Sequence, residues 1–183
     1  MILLISGASH TGKTCLAQRL LEKLQWPYYS IDHLKMGLIR SGQTSLTPSD
    51  DRELTEYLWP ILRELIKTAI ENSQNLILEG CYIPFSWKND FTDQYLEHIR
   101  FHCLIMSPHY IERHFDRITE YAAVIEARID DAWVNKDQLI RDNQYYLEHC
   151  LRHNLAYTLI DEVYPETGYM VDQIIPLLGQ PDS

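Results

Sequence analysis

Residues 7–14 read Gly7-Ala8-Ser9-His10-Thr11-Gly12-Lys13-Thr14, between an apolar run, Ile2-Leu3-Leu4-Ile5, and a helical spacing of Leu16, Leu20, Leu21 and Leu24. A strand, a glycine-bracketed loop, and a lysine with a hydroxyl residue at a helix start make a P-loop. Gly7 and Gly12 let the chain curl so that successive N–H groups point inward at phosphate oxygens. The helix start adds partial positive charge at the same place. Lys13 can then reach the terminal phosphates of a nucleotide, and the Thr14 hydroxyl is placed to ligate Mg²⁺. Gly7, Ala8, Ser9, His10, Thr11, Gly12, Lys13, Thr14 and the adjoining Cys15 are therefore the expected nucleotide cradle. The competing reading is a plain glycine turn between a buried strand and a helix.

The rest of the composition narrows the setting. At 183 residues the chain is the size of one domain with a sizeable core, and one domain over 1–183 is expected. A net charge of −10 argues against a nucleic-acid surface, which rewards clustered Lys and Arg. No apolar stretch approaches the roughly 20 residues that span a bilayer. Met1-Ile2-Leu3-Leu4-Ile5 lacks a basic flank and turns straight into the loop, so it reads as a core strand and not a signal peptide. Cys15, Cys81, Cys103 and Cys150 are scattered without a CxxC pair, which favours free thiols in a reducing cytoplasm. His149 and His153 stand i,i+4 with no third ligand nearby, so paired helix histidines are the plainer reading than a metal site.

Short apolar or β-branched runs recur at Ile2–Ser6, Tyr28–Ile31, Asn75–Glu79, Phe101–Met106 and Tyr157–Asp161, separated by helical patterns. That alternation calls for a parallel sheet with helices on both faces. The longest helical pattern runs from about Pro48 to Asn72, with Thr47 as N-cap, Asp50 as the acid three residues on, and Pro60 expected to kink or split it. A second helical region spans Pro108 to His153 with a break near Asp130–Asn135, and a last helix spans Tyr169–Leu178.

In an open parallel sheet, ligands sit beyond the carboxyl ends of the strands. Glu79, in Leu76-Ile77-Leu78-Glu79-Gly80, has the form of a Walker B strand and would hold Mg²⁺ beside Thr14, while Gly80 keeps the next turn open for substrate. Asp32 follows the second strand. It reads either as an acid that orients or deprotonates an acceptor hydroxyl, or as a helix cap. Asp161 reads as structural, or as a neighbour of the nucleotide base. After the fourth strand, Arg113 and Arg117 stand i,i+4, followed by Arg128 and Arg141. Such cations can clamp a transferring phosphoryl group. They also pair plausibly with Glu112, Asp116, Glu126 and Asp137, and surface pairs of that kind contribute only about 0–1 kcal/mol.

These segments resemble the P-loop nucleoside-monophosphate and small-metabolite kinases, the superfamily of adenylate and shikimate kinases. The resemblance runs from Met1 to about Asp161. Ile31-Asp32-His33-Leu34-Lys35 is similar to the segment where an acid precedes a basic residue at the acceptor phosphate, with Lys35 in place of an arginine. Leu76–Pro84 resembles the Asp-Gly-Phe-Pro-Arg strand end, with Glu for Asp and no arginine after Pro84. Glu112-Arg113 and Arg117 are similar to the arginines that open the lid, and Arg141 before Tyr145 to an arginine–tyrosine spacing beyond it. The resemblance implies a three-layer α/β P-loop NTPase fold with five parallel strands in the order 2-3-1-4-5 and a small helical lid at about 113–141. It also implies ATP as donor with Mg²⁺.

The expected activity is therefore ATP-dependent phosphoryl transfer to a nucleotide or small-metabolite acceptor, by a monomer or homodimer. Lys13, Asp32, Arg117, Arg128 and Arg141 are the expected catalytic residues, and Arg113 borders adenine. Asp32, Lys35, Arg40, Glu79, Gly80 and Tyr82 are the expected acceptor side. The missing arginines weaken AMP as acceptor and leave sugar, phosphoglycerate and sugar-nucleotide acceptors open. The rival class is a P-loop ATPase or nucleotide switch whose hydrolysis serves a partner.

Overall fold

The computed structural model describes residues 1–121 and 135–179. Strand β1 spans Ile2–Gly7 and enters helix α1, Lys13–Leu24. Strand β2, Tyr28–Ser30, runs into α2, Ile31–Arg40, and α3 covers Asp51–Glu71. Strand β3, Leu76–Glu79, is followed by a 3-10 turn at Trp87–Asp90 and the one-turn helix α4, Asp93–Leu96. Strand β4, Ile99–Met106, leads to α5, Pro108–Tyr121. Helix α6, Lys136–Arg152, strand β5, Tyr157–Ile160, and α7, Thr167–Ile174, complete the order, with a 3-10 turn at Ile175–Leu178.

The five strands are all parallel and lie in the order β2-β3-β1-β4-β5. This is the P-loop kinase arrangement that the resemblance implied. Every residue of β1 is buried because both faces of the sheet are covered. Alternate side chains of β1 point to opposite layers. Ile2 and Leu4 join Leu54, Leu58, Leu62 and Ile66 of α3 and Tyr146 and Cys150 of α6. Leu3 and Ile5 join Leu16 and Leu20 of α1 and Met170, Val171 and Ile174 of α7. Three layers follow directly from that alternation.

Local details differ from the sequence expectation in ways that packing explains. Helix α3 begins at Asp51, not at Pro48. The Asp50 carboxylate accepts from the Thr47 N–H at 2.7 Å and hydroxyl at 2.8 Å, closing a separate turn, and Asp50 itself is non-helical. Pro60 does not split α3, which is one helix from Asp51 to Glu71. Pro60 and Glu56 are both exposed, so the carbonyl that loses its partner lies on the solvent side. Ile31 belongs to α2 and not to β2. Helix α6 is capped by Asn135, whose Oδ1 accepts from the N–H groups of Asp137 and Gln138. Among the described residues, no helix is long and apolar enough to cross a membrane.

His102 on β4 is buried, with Nε2 2.8 Å from Thr158 Oγ1 and Nδ1 without a partner. Burial lowers its pKa from 6.5 to about 4. Because the folded state binds this proton more weakly than the unfolded chain, stability is full above pH 6.5 and falls as the pH drops toward 4. Urea unfolding should show a loss of about 2–3 kcal/mol between pH 7 and 4.5 that flattens in His102→Gln. An unchanged slope in the variant would exclude His102 as the source.

Candidate functional site

The loop after β1 has the geometry that its glycines predict. Gly7 stands at φ 144°, beside Leu104 on the neighbouring strand, and a Cβ there would collide with the Leu104 carbonyl oxygen. Gly12 stands at φ 85°, where a Cβ would collide with the Tyr164 hydroxyl. His10 adopts φ 65° between them. Three left-handed or near-left-handed turns in six residues curl the backbone around one point. Helix α1 begins at Lys13 with no side-chain cap and no acid in its first turn. Its first N–H groups therefore remain available to an anion at the loop mouth. Lys13 is 6% exposed, and its Nζ donates to the Ala8 carbonyl at 2.7 Å across the loop. The Thr11 hydroxyl donates to the same carbonyl at 2.9 Å.

Glu79 ends β3 at 1% exposure, in register with Ile5 and Ser30. The Thr14 hydroxyl donates to its Oε1 at 3.2 Å. A hydroxyl and a carboxylate side by side, at the mouth of an anion-binding loop, suit a hard cation that takes oxygen ligands and shares them with phosphates. Thr14 and Glu79 are thus the residues fit to hold Mg²⁺. Among the described residues, no group of three or more His, Cys, Asp or Glu forms a self-sufficient metal site. His149 and His153 instead stack, His149 lying on Phe85 with ring centroids 4.6 Å apart. Gly80 follows, where a Cβ would press on Ile31.

A polar chain lies beside this edge. Lys35 Nζ is 2.6 Å from Asp32 Oδ1, one helical turn earlier on α2. It also donates to the Tyr82 hydroxyl at 3.0 Å, and that hydroxyl donates to Asp51 Oδ1 at 3.0 Å. Burial first, then the Asp51 and Asp32 carboxylates, push the Tyr82 pKa strongly up, so the phenol stays a donor. The N-cap of α2 is Ser30, so Asp32 is a first-turn acid paired with Lys35 and not the cap. The structure thus brings Asp32, Lys35 and Tyr82 together. Arg40, in the last turn of α2, is exposed and lies about 12 Å along the helix axis from Asp32.

Four contributors escaped the sequence reading. Asp51, the first residue of α3, accepts from the Tyr82 hydroxyl. Asp142 on α6 accepts from Gln138 Nε2 at 2.6 Å, and burial, with the nearby Asp51 charge, raises its pKa. Asn143 is fully buried, its Oδ1 accepting from the Met106 N–H at 2.8 Å and its Nδ2 donating to Leu139. Tyr164, after β5, donates to the Thr11 carbonyl at 3.1 Å and covers Gly12. No local pattern marks Asp51, Asn143 or Tyr164, because each acts through a contact distant in sequence.

The arginines are more dispersed. Arg113 is exposed, with Nη1 3.4 Å from His109 Nε2. Arg117 is exposed and near enough to Tyr110 to oppose the upward pull of burial on its phenol. The two do not share one regular helix face, since His114 between them is non-helical at φ −123° and ψ 18°. Arg141 is exposed, with Nη2 donating to Gln138 Oε1 at 2.8 Å. Arg128 and the middle of the expected lid lie outside the described residues. Cys15 is half-buried with Sγ 3.9 Å from Thr167 Oγ1, and Asp161 is exposed just past β5.

The chain resembles solved structures over nearly its full length. It is similar to a putative kinase from Chloroflexus aurantiacus J-10-fl, with TM-score 0.58 and 17% identity over 96% of both chains. It is similar to deoxyadenosine kinase from M. mycoides, with TM-score 0.60 and 14% identity over 97% of this chain and 98% of that one. Shikimate kinase from Aquifex aeolicus gives TM-score 0.52 and 14% identity, over 97% and 96%. The fold is that of the P-loop small-molecule kinases. No protein-family model and no curated protein sequence matches the chain.

Tyr164→Phe keeps the ring over Gly12 and deletes the donor to Thr11. Chemical denaturation should register a loss of about 1 kcal/mol. Unchanged stability would mean that the hydroxyl does not brace the loop.

Proposed function

We propose that the chain is an ATP-dependent kinase that transfers the γ-phosphoryl group to the hydroxyl of a small-molecule acceptor. The observation that carries this reading is the convergence of the curled loop, the part-buried Thr14–Glu79 pair and the Asp32–Lys35–Tyr82 chain at one sheet edge. The known structures with this fold include kinases, which supports the reading. Lys13, released from Ala8, binds β- and γ-phosphate oxygens, and the loop amides with the α1 N-terminus hold the rest. Thr14 and Glu79 would hold Mg²⁺, which when bound would neutralise charge growing on the phosphates. Asp32 orients the acceptor hydroxyl and takes its proton. Arg117, Arg141 and Arg128 supply cations over the transferring group, and Arg113 borders the base. All four cysteines are free thiols, in keeping with a reducing, cytoplasmic setting.

Lys13→Ala should lower ADP formation at least about 100-fold while the protein still unfolds cooperatively, since one preorganised charge is typically worth a few kcal/mol. Near-normal turnover would refute the assigned role. Asp32→Asn should cut transfer about 100-fold with ATP-analogue affinity changed less than about threefold, read by single-turnover assay and calorimetry. Equal losses in both would make Asp32 structural. Phosphate released to water at one rate with or without metabolites favours an ATPase or switch instead.

A further inference from the structure

Resting on the nucleotide-binding part of that reading, Tyr164 gains a role beyond bracing the fold. It follows β5 and precedes Pro165, which confines its backbone to extended conformations. Its ring packs against two apolar clusters at once, the layer of α1 and α7 and the group that contains Met106, Ile111 and Ile160. The hydroxyl is thereby delivered to one place, the Thr11 carbonyl at 3.1 Å. Burial pushes the phenol pKa up, so at neutral pH it stays a donor.

Fixing one end of a peptide fixes the other. The Thr11–Gly12 bond is trans, so its N–H points opposite to its carbonyl. With the carbonyl held by Tyr164, the Gly12 N–H faces away from that ring. Sterics alone do not select this direction. Reversing the peptide changes ψ of Thr11 and φ of Gly12 together. Gly12 stands at φ 85°, and a glycine accepts the reversed, negative φ about as readily. Reversed, the peptide would turn the Thr11 carbonyl oxygen toward the bound phosphates, negative against negative. The same glycine admits the brace, because a Cβ at Gly12 would collide with the Tyr164 hydroxyl.

We infer that Tyr164 is a positioning residue for nucleotide binding: its hydroxyl holds the Thr11–Gly12 peptide so that the Gly12 N–H is turned into the loop as a ready donor to the polyphosphate. It acts through Thr11 and not by contact with the phosphates. The Gly12 amide then stands with the first amides of α1, which no side chain caps.

The test uses the full chain with Mg²⁺ and inorganic tripolyphosphate, which needs neither a base nor an acceptor. Calorimetry on Tyr164→Phe, which keeps the ring, should show affinity lowered about three- to tenfold. Labelling with ¹⁵N-glycine reports the peptide directly, with seven glycines in the chain. Without ligand, the unsubstituted chain should give one Gly12 amide resonance. The variant should give two, or one broadened by exchange, and tripolyphosphate should restore a single one. Gly37 and Gly42, on and just beyond α2, should not change. Unchanged affinity, or a Gly12 resonance that stays single and sharp in the variant, overturns the inference. So does an equal disturbance of Gly37 and Gly42, the mark of general loosening. ADP formation by the unsubstituted chain at one rate with or without any acceptor overturns the kinase reading and leaves this inference standing. An unsubstituted chain that does not bind tripolyphosphate overturns both.

Discussion

The close approach of Gly7 to the Leu104 carbonyl is the constraint on which the site depends. Strand β1 is central, bonded to β3 on one side and β4 on the other, and Gly7 is the last residue held by that ladder. With no room for a Cβ, the chain must leave the sheet there with the conformation that only glycine adopts easily. From that exit the next five residues have one compact route to the α1 N-terminus. Glu79, held in register with Ile5, then falls beside Thr14. The two apolar layers clamp β1 from both faces, so the loop is mounted on a rigid base.

How much of this was legible in the sequence depends on how local each feature is. The loop, its lysine and its hydroxyl are consecutive, and their chemistry needs no distant partner. The parallel sheet was legible because each strand is a short apolar run bounded by turn residues, while the strand order came from the resemblance and not from the pattern. Helix ends were less legible. Thr47 and Asp50 form the hydrogen bonds of a helix start, but they close a turn one step early. Pro60 does not split α3 because its solvent-facing position relieves the lost hydrogen bond, a tertiary fact absent from propensity. Tyr164 was invisible for the opposite reason: it acts on Thr11 across 153 residues, and nothing in its neighbourhood marks it.

The polar chain at the acceptor side serves position more than stability. Desolvating an ion pair costs about as much as its attraction returns, so Asp32–Lys35 is weak evidence of stabilisation. Its effect is geometric. Lys35 bridges Asp32 to Tyr82, and Tyr82 extends the chain to Asp51, so α2, α3 and the segment after β3 are tied at one point. A buried phenol held between an ammonium donor and a carboxylate acceptor has a single satisfied orientation.

Helix α6 is anchored to the same edge of the sheet by two hydrogen bonds of its own. Asn143 binds the Met106 amide at the end of β4, and Tyr146 binds the Cys81 carbonyl beyond β3. These bonds pin the helix at two heights against the sheet's carboxyl edge. Breaking either would leave a buried polar group unpaired, at about 1–3 kcal/mol each.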